Sequence, residues 1–146
     1  MIRPKLRYLL DLVNIQLKEL ERWVEETRVA AIEVGRGAHA SPSMSGDREH
    51  SENQAIINKE RLHRLYLLRD EISQALSLKT PTATQAPCFI NDEFYLVKNI
   101  SHVKGVKIIS ENSPLGSAVL GKRVGEIFSY EREDKTLVKG RVVKIE

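Results

Sequence analysis

From Leu6 onward, apolar or small side chains recur at Leu6, Leu10, Val13, Leu17, Leu20, Val24, Thr27, Ala31 and Val34, in alternating steps of four and three. That is a heptad seam. Lys18, Glu19, Glu21, Arg22, Glu25 and Glu26 flank it, so the pattern predicts a coiled coil rather than a helix lying on a sheet. Leu9, Leu12 and Ile15 widen the stripe near its start, and the base of this helix is therefore expected to pack on the second half of the chain. The seam stops at Gly35-Arg36-Gly37, and Ala38 to Gly46 has no periodicity and many breakers. Ser51-Glu52-Asn53-Gln54 then fits a capping box. A second seam follows through Ala55, Asn58, Leu62, Leu65, Leu68, Ile72 and Leu76. Residues 1–78 thus read as an antiparallel hairpin with helices over about 5–36 and 51–77, a tip at 37–50, and arms of roughly 40–45 Å. Asn58 either fixes the register of the seam or occupies a solvated position near the tip.

Residues 79–87 have the composition of a linker. Beyond them, short runs rich in β-branched and aromatic residues predict strands at Cys88–Ile90, Phe94–Val97, Val106–Ile109, Ile127–Tyr130 and Thr136–Ile145. Asn91-Asp92 and Glu133-Asp134-Lys135 occupy turn positions, and Gly140 inside the last run predicts a bulge. Between strands, Ser113 fits an N-cap, Pro114 the first helical position and Gly121 a left-handed stop, so a short helix lies there, held to the sheet by Leu115, Val119 and Leu120. The fold class is α+β: an N-terminal coiled-coil hairpin, then a small antiparallel β domain over 88–146 with one short helix.

Composition narrows the function classes. The net charge of +3 divides as 12 Lys/Arg against 12 Asp/Glu in residues 1–78 and 11 against 8 in 79–146. So dispersed an excess argues against independent sequence-specific DNA binding. No stretch approaches the roughly 18 apolar residues of a membrane span, and the start leads into an amphipathic pattern, so a cytoplasmic location and no membrane partner are expected. Cys88 is the only cysteine. It can form neither an internal disulfide nor a Cys-x-x-Cys metal site, and it reads as a core residue.

The segment Ile109-Ser110-Glu111-Asn112-Ser113-Pro114-Leu115-Gly116 through Leu120-Gly121-Lys122-Arg123-Val124-Gly125-Glu126 resembles the C-terminal domain of the bacterial elongation factors GreA and GreB. Gly46-Asp47-Arg48, Ser51-Glu52-Asn53 and Asn58-Lys59-Glu60-Arg61-Leu62 are similar to the tip and returning helix of the same factors. The resemblance implies an FKBP-like C-terminal domain docked on bacterial RNA polymerase through Asn112, Ser113, Pro114, Leu115 and Gly116. It implies a hairpin threaded into the secondary channel, where tip carboxylates help hold a second Mg²⁺ shared with the polymerase, beside the RNA 3′ end. No cofactor would be stably bound by the chain alone. The factor would be no enzyme itself, and would stimulate the polymerase's own cleavage of backtracked RNA.

Asp47 and Glu52 are the candidate carboxylates, with Glu49 a third. Hard oxygen ligands suit Mg²⁺, and a second cation in phosphodiester hydrolysis lowers the pKa of the attacking water and offsets developing charge. The family pattern is interrupted by Glu49-His50, inserted between Arg48 and Ser51, which puts Asp47 and Glu52 five apart. Only a loop would bring them together. The sheet before the signature is also about one strand short, and is either trimmed or re-formed from Cys88–Val97.

Plainer readings stand beside these. The acidic cluster could be a solvated loop serving a helix N-terminus, although the flanking matches favour the metal-directed role. His39 and His50 lack ligand spacing. Lys59, Arg61 and Arg64 could contact RNA or the channel wall, or form a solvated face with Arg69, paired with Glu60, Asp70 and Glu71. Trp23 and Tyr66 are expected to pack across the hairpin. The alternative functions are a cleavage-inactive regulator or inhibitor in the secondary channel, a peptidyl-prolyl isomerase, disfavoured by an aromatic content of 5%, and a helical adaptor unrelated to transcription.

Overall fold

The computed structural model describes residues 3–37 and 44–146, with side chains described for 3–29 and 53–146. Two long helices, α1 (Pro4–Gly37) and α2 (Met44–Leu76), lie antiparallel. The inner positions of the predicted seams meet: Leu6, Val13 and Leu17 of α1 are buried with Leu65, Leu68 and Ile72 of α2. Farther out, Leu20, Val24 and Thr27 are half-buried, as expected where a two-helix arm leaves the rest of the protein.

Several details refine the sequence reading. The returning helix starts at Met44, seven residues before the capping box at Ser51. No proline lies between Pro42 and Pro81, and one glycine, Gly46, costs a helix only about 1 kcal/mol, so nothing obliges it to start later. Gln54 donates to Asn58 Oδ1 (3.3 Å). Asn58 is only 1% exposed, which removes the solvated-tip explanation. Ile15 and Trp23 are 57% and 56% exposed. Trp23 precedes the seam residue Val24, and one helical step turns a side chain by about 100°, enough to carry the indole off the seam. Tyr66 does cross the hairpin, with its hydroxyl donating to the Glu21 carboxylate.

The second half holds two small sheets. In the first, β1 (Cys88–Ile90) pairs antiparallel with β2 (Phe94–Val97), which pairs parallel with β3 (Ile108–Ser110). The sheet is therefore mixed, and Cys88–Val97 supplies two of its strands. Asn91 and Asp92, with φ of 55° and 54°, make the tight turn between β1 and β2, closed by the Glu93 N–H donating to the Ile90 carbonyl (2.9 Å). After the short helix α3 (Pro114–Val119), the strands β4 (Ile127–Glu131) and β5 (Leu137–Arg141) form an antiparallel ribbon. Gly140 is paired in register with Phe128, so no bulge is present. A Cβ there would lie 2.5 Å from Phe128 Cζ, and the ring's closeness is what requires glycine. The chain end returns to β1, where Phe89 and Glu146 exchange backbone hydrogen bonds of 2.8 and 2.9 Å.

The first sheet has a core on each side. One face presents Phe89, Tyr95 and Val97 to the hairpin base, Leu6, Leu9, Val13, Leu68 and Ile72, as the widened stripe predicts. The other face packs Cys88, Ile90, Phe94 and Leu96 against Val119, Phe128 and Val142. The segment with linker composition is itself tied down. Thr84 is buried, accepts from Gly121 N–H (3.0 Å), donates its own N–H to Lys122 O (2.8 Å), and its hydroxyl donates to Val119 O.

Candidate functional site

The most distinctive local structure is the corner where β3 runs into α3. Ser113 is extended (φ −73°, ψ 161°), and its Oγ accepts from Gly116 N–H (3.0 Å), capping the helix that Pro114 begins. The same hydroxyl donates to Ser110 O (2.7 Å). Gly116 is pressed against that carbonyl, for a Cβ on it would lie 1.8 Å from Ser110 O. Gly121, at φ +79°, provides the left-handed stop. Of the five residues of interest, Asn112 and Pro114 are exposed, Ser113 and Leu115 half-buried and Gly116 buried. Asn112 and Pro114 can touch a partner, whereas Gly116 serves by letting the helix sit close. Val119 packs into the core as expected, but Leu120 is exposed at the helix end.

Across from this corner is the β4–β5 turn. Lys135 takes a left-handed conformation (φ 65°) and donates to Arg132 O (2.9 Å). The Asp134 carboxylate accepts from Thr136 N–H (3.0 Å), a bond that lowers its pKa below the ordinary carboxylate value. Between turn and corner is an open cleft of 560 Å³ with Ile109, Leu115 and Tyr130 in its lining and Lys107, Arg132 and Asp134 among its polar residues. Apolar lining with a charged rim suits a protein surface.

Along the hairpin, Lys59, Arg61 and Arg64 are exposed on α2. Among the described residues the expected pairing is found only for Arg69, which meets Asp70 (3.2 Å) and stacks on the Tyr66 ring (4.8 Å). Glu71 instead faces the sheet domain, accepting from Lys98 N–H (2.7 Å) and Asn99 N–H (3.4 Å); burial raises its pKa, and these bonds oppose the rise. Two further polar side chains that sequence reasoning missed fix hairpin to domain. Gln16 donates to His102 O (2.5 Å) and accepts from Lys104 N–H (3.1 Å). Arg3, 4% exposed, donates to Ala75 O (3.2 Å) and Pro87 O (2.8 Å). Each looks in sequence like an ordinary surface residue, and only the fold supplies its partners.

The side chains of Asp47, Glu49 and Glu52, with that of His50, lie outside the described residues, as does His39 altogether. The backbone at 47–52 belongs to α2. Five helical residues correspond to a rise of about 7.5 Å and a rotation of about 140°. Carboxylate oxygens are the ligand type Mg²⁺ takes. Among the described residues, no three His, Cys, Asp or Glu side chains gather to hold a metal ion.

Residues 93–146 match the family model of the transcription elongation factor GreA/GreB C-terminal domain. Over these residues the chain is similar to the C-terminal domain of that family. The match begins just after β1, so β1 and the docked segment before it precede the Gre-type domain as that model draws it. No match was found among curated proteins. Among solved structures, the chain is similar to a prokaryotic transcription elongation factor GreA/GreB from Nitrosomonas europaea, with 18% identity, TM-score 0.34, and coverage of 64% of this chain and 91% of that one. It is also similar to Gfh1 of Thermus aquaticus, with 21% identity, TM-score 0.36 and coverage of 99% and 96%. The GreA factor homolog Gfh1 of Thermus thermophilus shows 18% identity, TM-score 0.32 and 94% coverage of both chains. No helix among the described residues is long and apolar enough to cross a membrane.

Proposed function

We propose that this chain is a transcription elongation factor that binds bacterial RNA polymerase through its Gre-type domain, inserts the hairpin into the secondary channel, and stimulates cleavage of backtracked RNA. The observation that carries the reading is the family match over residues 93–146, joined to a corner where Pro114 and Leu115 line an apolar cleft beside the exposed Asn112. Asp47 and Glu52, with Glu49 in reserve, would contribute oxygens to a Mg²⁺ shared with the polymerase, while Lys59, Arg61 and Arg64 would face RNA or the channel wall. The nuclease would be the polymerase, and the chain a non-enzymatic cofactor working in the cytoplasm.

A second reading keeps the docking without the cleavage. It is favoured by the course of α2, which carries positions 47 and 52 on one helix, five residues apart. Carboxylates so placed do not share a helix face.

Docking is tested with immobilised core polymerase. Leu115→Asp and Pro114→Asp should each weaken retention by about tenfold or more, since a charge is buried against apolar surface, with the circular dichroism spectrum unchanged. Retention of both variants at the wild-type level would remove the docking site. Competition with an active cleavage factor, read by RNA length, separates the first reading from the second.

A further inference from the structure

Where the hairpin meets the loop at 101–104, the structure has a cleft of 450 Å³ away from the α3 corner, lined in part by the Arg61 and Arg64 that the proposed function turns toward RNA or the channel wall. Trp23, Leu20 and Leu65 give it apolar lining; Arg61, Arg64 and Glu19 are its charged residues. Ser101 and His102 of that loop line it, and the loop is held by Gln16, which donates to His102 O and accepts from Lys104 N–H.

We infer that this cleft is a binding site for a free purine nucleoside di- or triphosphate. Three observations support it. The indole of Trp23 is more than half exposed and lines the cleft, where an aromatic ring can stack on a base. Arg61 and Arg64 lie one turn apart on α2, where Cβ atoms of residues three apart are about 5–6 Å from each other, and among the described residues neither is in an ion pair. Two adjacent guanidiniums repel one another, and a polyphosphate accepting from both removes that repulsion with charge-assisted hydrogen bonds. The volume falls within the range of about 300–1,000 Å³ typical of small-molecule sites, and Ser101 and His102 of the tied loop line it. Glu19 supplies an acceptor for a ribose hydroxyl or an exocyclic amine, donors that a phosphate alone lacks.

The chain contains a single tryptophan, so its intrinsic fluorescence reports on this cleft directly. Titrating the isolated full chain with GTP or ATP should give a saturable change in Trp23 emission, with guanosine alone and inorganic phosphate alone at least about tenfold weaker, or roughly 1.4 kcal/mol. The double substitution Arg61→Gln with Arg64→Gln should weaken GTP by about tenfold or more, as expected for loss of charge-assisted phosphate bonds, and should leave the weak guanosine response in place. Trp23→Ala, followed by calorimetry, should lose affinity for both GTP and guanosine. The inference is overturned if no saturable change appears up to millimolar GTP, if the double variant binds GTP like wild type, or if only a short single-stranded oligonucleotide binds. Because polymerase is absent from the assay, none of these results bears on docking.

Discussion

A methyl group on Gly116 would stand 1.8 Å from the carbonyl oxygen of Ser110. That carbonyl already accepts from Ser113 N–H (3.1 Å) and Ser113 Oγ (2.7 Å), so it is fixed from the other side and has little room to give way. Gly116→Ala is therefore expected to destabilise the protein by about 1–3 kcal/mol, the usual range for overpacking, and to displace the α3 corner. Gly121→Ala is the informative comparison: its φ of +79° strains alanine, but nothing lies within 4 Å of the added Cβ. Thermal unfolding followed by circular dichroism should show the lower midpoint for Gly116→Ala. Polymerase retention, measured on folded protein, should fall further for Gly116→Ala as well.

Gln16 ties α1 to the 102–104 loop with one donated and one accepted hydrogen bond. Gln16→Leu removes both while keeping a similar volume, and leaves the Lys104 N–H without its partner. Hydrogen exchange at the Lys104 amide should accelerate, while amides in β2 keep their protection. Loss of hydrogen bonds at this exposed position should lower stability by about 0.5–1.5 kcal/mol each at most. Unchanged exchange at Lys104 would mean that the loop is held by packing alone.

Glu71 gives a pH dependence of definite sign. Its pKa is raised above the ordinary 4.5, first by burial, with hydrogen bonds from Lys98 and Asn99 N–H opposing. The folded state thus holds this proton more tightly than the unfolded one. Its favourable contribution is complete below the unfolded pKa and is lost as pH rises through the folded pKa. Glu71→Gln cannot ionise, so the stability of wild type relative to this variant should decline between about pH 4 and neutrality. Denaturant unfolding of both proteins across that range checks it; a difference that grows with pH would reverse the sign.

Much of this fold is readable from local pattern. The heptad steps identify the buried faces at Leu6, Val13, Leu65 and Ile72, because helix periodicity is a property of neighbouring residues. The Ser113, Pro114 and Gly121 signals locate α3 for the same reason. Pairings between distant segments are not encoded locally. The parallel pairing of β2 with β3, the docking of Thr84 under α3, and the partners of Arg3, Gln16 and Glu71 all emerge from the fold. Gly140 shows the ambiguity of a single residue: an isolated strand glycine can mark a bulge or a close neighbour, and here Phe128 is the neighbour. Ser51-Glu52-Asn53-Gln54 reads as a helix start, yet α2 runs through it from Met44. A capping box is only an available ending, and no breaker enforces it. The α3 corner was thus legible in its cap, its first turn and its stop, whereas the helical spacing of positions 47 and 52 was not.

The most direct measurement is RNA length in a backtracked bacterial elongation complex incubated with Mg²⁺ and this protein. The transcript should shorten from its 3′ end faster than without the protein, and Asp47→Ala or Glu52→Ala should remove the acceleration while polymerase binding persists. A protein that binds the complex and leaves the transcript at its original length would contradict the proposed cleavage role.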